Sequence, residues 1–164
     1  MNPAQGGWLI FLTLMVAMVL SALYLPQDWP QWLAWLRPTW VMLAVFFWVV
    51  EVPHRIGLIS TWLIGLLVDV LYAEPLGLNG LILSILTFVT WRFYERLRMF
   101  SIPQQGGVVF LLILMGEAMR MVVLNLTMDR ELTWMMVLPA LTSLALWPFV
   151  WPVLTSAKNR FRVE

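Results

Sequence analysis

Apolar positions along the chain fall into six runs long enough to be helices, and none alternates apolar with polar as a half-buried strand would. The first, residues 8–25, has no charged side chain and ends at Gln27-Asp28-Trp29-Pro30. No Lys or Arg precedes it and it is long for the core of a signal peptide, so it reads as a retained anchor. The second spans 32–50; Arg37-Pro38 lies at the entrance to its most apolar part, where proline suits a first helical turn, and Glu51 to Arg55 close it. The third, 57–72, and the fourth, 79–94, are joined by a tight connection in which Pro75 and Gly77 suit a type I turn and Asn79 is placed to cap the next helix. Arg92, Arg96 and Arg98 mark the end of the fourth, and Pro103 to Gly107 form a polar connection. The fifth run, 108–128, holds Glu117, Arg120 and Asn125; the sixth, 132–154, contains Pro139, Pro148 and Pro152 and leads into a basic tail of Lys158, Arg160 and Arg162. Continuous runs of this kind disfavour a β-barrel.

Composition turns this pattern into a statement about solvent. Of 164 residues, 62% are hydrophobic and 12% charged. A soluble globule of that size could not cover so much apolar surface with so few charges. A net charge of +1 supplies no basic field for nucleic acid. The expectation is an all-α integral membrane protein, a single polytopic domain of about six helices at about 20 residues per span. Lys and Arg orient it. With both termini in the cytoplasm, Arg55, Arg92, Arg96, Arg98, Lys158, Arg160 and Arg162 lie inside, and only Arg37 and Arg130 outside. The Trp-rich stretches, including Trp29, Trp32, Trp35, Trp40, Trp147 and Trp151, read first as interfacial belts.

Candidate chemistry is sparse. The chain has no cysteine and one histidine, His54, which excludes disulfides, thiolate sites and multi-histidine metal sites. No nucleophile with a neighbouring base is recognisable, and Gly106-Gly107 is too little for a phosphate loop. No cofactor and no catalysis are expected. Two features stand out. Gly57, Thr61, Gly65, Asp69 and Ala73 recur every fourth residue, a stripe of mostly small side chains on one helix face that suits close backbone packing in lipid. Asp69 at its end reads either as a solvated or turn-capping carboxylate or as a buried polar group. Glu117 and Arg120, three apart, share a face within an apolar span; they read as a packing ion pair or as a site for a polar ligand or proton.

The stretch GLISTWLIGLLVDVLYAEPLGLNG, from Gly57 to Gly80, resembles the signature of the rod shape-determining protein MreD family, with matching positions Gly65, Asp69, Pro75, Leu76, Gly77 and Asn79. Arg37-Pro38-Thr39-Trp40-Val41, Pro53-His54-Arg55 and Leu146-Trp147-Pro148 resemble its proteobacterial branch. The resemblance implies a non-catalytic inner-membrane scaffold or regulator of the cell-elongation complex that directs lateral peptidoglycan synthesis. Its implied partners are MreC by direct contact, MreB, RodA and RodA's transpeptidase partner. It also implies a fold like that of the substrate-binding subunits of energy-coupling-factor vitamin transporters, which leaves a small-ligand binding or transport subunit as the alternative function. Thr13, Ala17 and Ser21 give only a weak version of the small-residue docking motif such subunits carry.

Overall fold

The computed structural model describes residues 7–23, 36–128 and 133–161. The described residues form six α-helices, which we number α1 (Gly7–Ala22), α2 (Trp40–Glu51), α3 (Leu58–Tyr72), α4 (Leu78–Met99), α5 (Ile102–Met128) and α6 (Val137–Arg160). A 3-10 turn, Trp134–Met136, leads into α6. Residues 24–25 of the first run, 32–35 of the second and Leu132 of the sixth lie outside the described residues, as do Trp29, Arg130 and Arg162.

The core is built around α2. Every residue from Val41 to Val50 is buried, which is what a helix apolar on all sides requires. It packs against α1 and α4, and to a lesser extent α5 and α6. Phe46 meets Trp147 edge-on at 5.2 Å, and Phe47 meets Trp48 at 5.2 Å and Trp151 at 5.0 Å. Trp48 donates its indole N–H to Thr13 Oγ1 on α1 at 2.8 Å, which satisfies the one polar atom of a fully buried ring. Trp147, expected in an interfacial belt, is therefore core, and Trp151 is half-buried beside it. Composition could not distinguish the two roles, because a Trp suits either an interface or an aromatic cluster.

The outer faces are apolar. Phe11, Ile59, Leu67, Leu111, Leu126, Phe149 and Val153 are all more than half exposed. Helix α5 and the segment Trp134–Arg160 are each long and apolar enough to cross a membrane. Together these features fit a membrane location.

Both ends of the bundle are tied. At one, Trp8 meets the Phe161 ring at 4.9 Å, and Lys158 forms an ion pair with Glu51. At the other, Tyr72 donates its hydroxyl to the Ser21 carbonyl at 3.4 Å, and the Thr39 N–H donates to Ser143 Oγ at 3.2 Å. The first and last helices thus begin and end on the same side.

Several helices outrun the apolar runs that announce them. Helix α4 continues past residue 94 to Met99, with Arg92, Arg96 and Arg98 exposed and Leu97 turned inward. Arg96 and Arg98 in its last turn suit the negative end of the helix dipole. Helix α5 begins at Ile102 rather than at 108. Pro103 falls in its first turn, where no N–H is needed, and Gln104 Oε1 accepts the Ser101 N–H at 3.0 Å. Gln105 Nε2 donates to the Leu97 carbonyl at 2.9 Å, fastening the start of α5 to the end of α4. Helix α6 runs through Pro148 and Pro152 to Arg160, past the expected end at 154.

The tightest contact is between α3 and α4. A Cβ added at Gly65 would lie 2.3 Å from both the Cα and the N of Gly80, so the two backbones touch. Thr61 and Asp69, on the same stripe, are fully buried. Gly57 is not on the seam: it is exposed, with nothing within 4 Å of an added Cβ. A four-residue step rotates about 40° around a helix, so a stripe of this spacing drifts off the contact within a few turns. Gly65→Ala is expected to cost at least the upper end of the usual ~1–3 kcal/mol for overpacking, because backbone cannot step aside. Gly107→Ala, which meets nothing within 4 Å, is the unstrained control and should hold or slightly raise stability. Thermal melting of the two purified variants in detergent checks this, and equal melting would place the α3 stripe against lipid.

Candidate functional site

The connection between α3 and α4 creates the site. Ala73 ends α3 in the left-handed region, φ 51°, and Gly77 adopts φ 96°, a conformation that disfavours any side chain. The Glu74 N–H donates to the Asp69 carbonyl at 3.0 Å, and the Leu78 N–H to the Pro75 carbonyl at 3.1 Å. This path aims the first N–H groups of α4 back at α3. Asp69 receives them: Oδ2 accepts the Gly77 N–H at 2.7 Å, and Oδ1 accepts the Asn79 N–H and the Asn79 side-chain amide, both at 2.8 Å. The carboxylate is fully buried and sits at the positive end of a helix, where charge-assisted hydrogen bonds and the dipole both favour it. Asp69 is thus both buried and a cap, two readings the sequence held apart. The expected cap, Asn79, lies inside the first turn of α4 and acts as a donor instead.

Asn79 carries the network across to α5. Its amide also donates to Glu74 Oε2 at 2.7 Å, and its Oδ1 accepts from Arg120 Nη2. Arg120 Nη1 donates to Glu117 Oε1 at 3.3 Å, and Nε lies 3.6 Å from Glu74 Oε2. The guanidinium lies over the Tyr72 ring, 5.8 Å from its centre. The Glu117–Arg120 pair is therefore real but not self-contained: Arg120 serves two carboxylates and an amide. Side-chain exposure is 17% for Arg120, 9% for Glu74 and 4% for Glu117. A cavity of about 180 Å³ opens beside them, with Ser21, Arg37, Thr39, Tyr72, Glu117 and Arg120 in its wall.

The structure thus brings Asp69, Gly77, Asn79, Glu117 and Arg120 into one network, braced by the Gly65 seam and by the Pro75 carbonyl within the turn. Leu76 is 74% exposed on the outside of that turn and takes no part. Arg92, Arg96 and Arg98 lie at the far end of α4, and Arg160 is exposed in the last turn of α6. Lys158 is engaged with Glu51 rather than free. Two participants escaped sequence reasoning. Tyr72 was findable, because it stands three residues after Asp69 and hence on its face. Glu74 was not: a carboxylate beside proline in a short turn looks solvated. Among the described residues, no cluster of three or more His, Asp or Glu side chains is arranged to hold a metal. What the arrangement does chemically is bind three helices to one another through ion pairs and charge-assisted hydrogen bonds and line a small polar cavity.

Two expectations follow. Arg120→Leu removes the cation that Glu117 and Glu74 share and should approach the ~3–5 kcal/mol of a broken buried pair. Glu117→Leu leaves Arg120 with Glu74 and Asn79, so its loss should be clearly smaller, and the double variant should recover only part of the Arg120→Leu loss. Melting temperatures of the three variants check this; equal losses for the single changes would mean that Glu74 and Asn79 bear none of the charge. Asp69→Asn, although isosteric, turns one acceptor into an amide facing backbone N–H donors. It should destabilise by about 1–3 kcal/mol, the penalty of a buried donor left unpaired.

Comparison with known proteins agrees with the motif resemblance. The family model described as rod shape-determining protein MreD matches residues 3–156. The rod shape-determining protein MreD of Haemophilus influenzae is 25% identical over 136 residues, which is 83% of this chain and 84% of that protein. No solved structure matches the chain. With the match running nearly end to end, and the α3–α4 turn that carries the motif forming the buried centre of the site, the chain belongs to the MreD family of rod shape-determining proteins.

Proposed function

We propose that this protein is a non-catalytic scaffold of the bacterial cell-elongation machinery. It crosses the inner membrane six times with both termini in the cytoplasm, and it acts by binding MreC directly. Through MreC it regulates RodA and its transpeptidase partner, in step with MreB. The observation that carries this reading is the family match over residues 3–156. Two features of the molecule support it. The polar groups at membrane depth are largely spent on one another, as suits a rigid frame. The common side shared by Trp8 and Phe161 suits an even number of crossings, and the excess of Lys and Arg suits a cytoplasmic position for that side.

A second reading has one observation in its favour. The polar cavity bordered by Arg37, Glu117 and Arg120 suits a small-ligand subunit with the fold of a vitamin-transporter substrate-binding component. Purification from native membranes separates the two. Co-recovery of MreC is expected, together with round rather than rod-shaped cells when Arg120→Leu replaces the natural chain. Recovery of an ATP-driven coupling subunit or of a bound vitamin would overturn the scaffold. Reporter fusions after Ser101 and at Glu164 should both read cytoplasmic; a periplasmic signal at Glu164 would sink the six-span topology.

A further inference from the structure

The end of the bundle opposite the charge network holds a second cavity that neither the fold nor the family role uses. It is a slot of about 220 Å³ between the last turns of α4 and the early turns of α5. Val89, Leu97, Phe100, Val108 and Leu112 make its walls apolar, and Arg96 stands at its rim. Phe93 and Phe100, 47% and 41% exposed, flank it on the face turned to lipid. Within the slot is Thr90, fully buried, whose hydroxyl has no hydrogen-bond partner. An unpaired buried hydroxyl is costly, and in an apolar slot it marks a donor that an acceptor from outside the chain would satisfy. Arg96 is exposed and has no carboxylate partner among the described residues: the ion pairs there join Arg120 to Glu74 and Glu117, and Lys158 to Glu51. Arg92 and Arg98 add positive charge on the same helix end, and Glu95 is the one acid between them.

The order of these groups is that of an amphiphile. Thr90 and Arg96 are six residues apart, so about 9 Å of helix separates the donor at depth from the cation at the rim. Val89 and Leu112 line the inner end of the slot at about the depth of Thr90. A phospholipid presents its parts in the same sequence: anionic headgroup, ester carbonyl, hydrocarbon chain. Basic pockets between helices near a membrane surface recognise anionic headgroups.

We propose that this slot binds an anionic glycerophospholipid. The glycerol backbone lies beside Leu97, the Thr90 hydroxyl donates to an ester carbonyl, one acyl chain continues past Val89, Val108 and Leu112, and Arg96 pairs with the charged headgroup. The proposal rests on the membrane location and is independent of the scaffold reading, because its test uses the purified full chain with no partner present.

Native mass spectrometry from detergent, with added dioleoyl phosphatidylglycerol or dioleoyl phosphatidylcholine, provides the test. The natural chain should retain phosphatidylglycerol about fivefold better than phosphatidylcholine, the worth of one basic side chain against an anionic headgroup. Arg96→Gln should remove that preference, while Arg98→Gln, off the slot, should change it by less than about twofold. Val108→Trp should fill the slot and weaken both lipids; if that variant aggregates, Leu112→Phe fills the same space. Thr90→Val should lower retention of both lipids without altering the preference between them. Equal retention of the two lipids by the natural chain would overturn the site. So would equal losses from Arg96→Gln and Arg98→Gln, the mark of diffuse surface charge, or undiminished phosphatidylglycerol binding in the slot-filling variants.

Discussion

A carboxylate with no exposure to solvent sets the terms for this fold. Removing an ion from water costs several kcal/mol even after the protein relaxes. Asp69 offsets that cost with three N–H donors, two from the backbone at the start of α4 and one from Asn79. Those donors are in place only if α3 and α4 lie against each other, and that approach requires Gly65 opposite Gly80. The turn between them must also reverse within a few residues, which Ala73 and Gly77 accomplish in the left-handed region. Small-residue seam, turn and capping carboxylate are thus one device. None of the three is stable without the others, since an unmet Asp69 at membrane depth would be among the most unfavourable groups in the chain.

The same device positions α5. With its amide held by Asp69 and Glu74, Asn79 has one orientation available, and its carbonyl oxygen then faces Arg120. Arg120 in turn pairs with both Glu117 and Glu74. Helix α5 is long and apolar, so lipid alone would let it rotate or slide with little penalty; the guanidinium gives it a register. A polar contact here contributes orientation more than binding strength, consistent with the modest net worth of polar contacts between helices in membranes.

Much of this was legible in the residues, but in pieces. Six helices followed from the apolar runs, and the Gly65 seam from the four-residue spacing. Asp69 and the Glu117–Arg120 pair were visible because charge is rare in such a chain. Their union was not. Asn79 and Arg120 are 41 positions apart in sequence, and no periodicity within one helix reports a contact between two. Helix ends were the other weak point. The polar string Pro103 to Gly107 reads as a loop by composition, yet it is helical because Gln105 turns inward to the Leu97 carbonyl and Gly106 lets α6 approach, with Leu144 and Trp147 beside it. Tertiary contact decides what a polar residue does at a helix start, and composition registers only that it is polar.

Helix α2 explains why the network lies where it does. Its 12 residues rise about 18 Å, while a hydrocarbon core is about 30 Å thick. The axis of the bundle is therefore too short to fill it. At the Glu51 end the ion pair with Lys158 closes the gap. At the Trp40 end, Pro38 and Thr39 continue in non-helical backbone, which is tolerable at depth only where protein or a polar cavity supplies partners. Ser143 supplies one, accepting the Thr39 N–H. Beside it, among the described residues, lies the cavity bordered by Arg37, Glu117 and Arg120. A full-length central helix would occupy that volume with apolar side chains, and the charges on α5 would face hydrocarbon. The short axis makes room for a polar centre, and the Asp69 turn furnishes it with fixed partners.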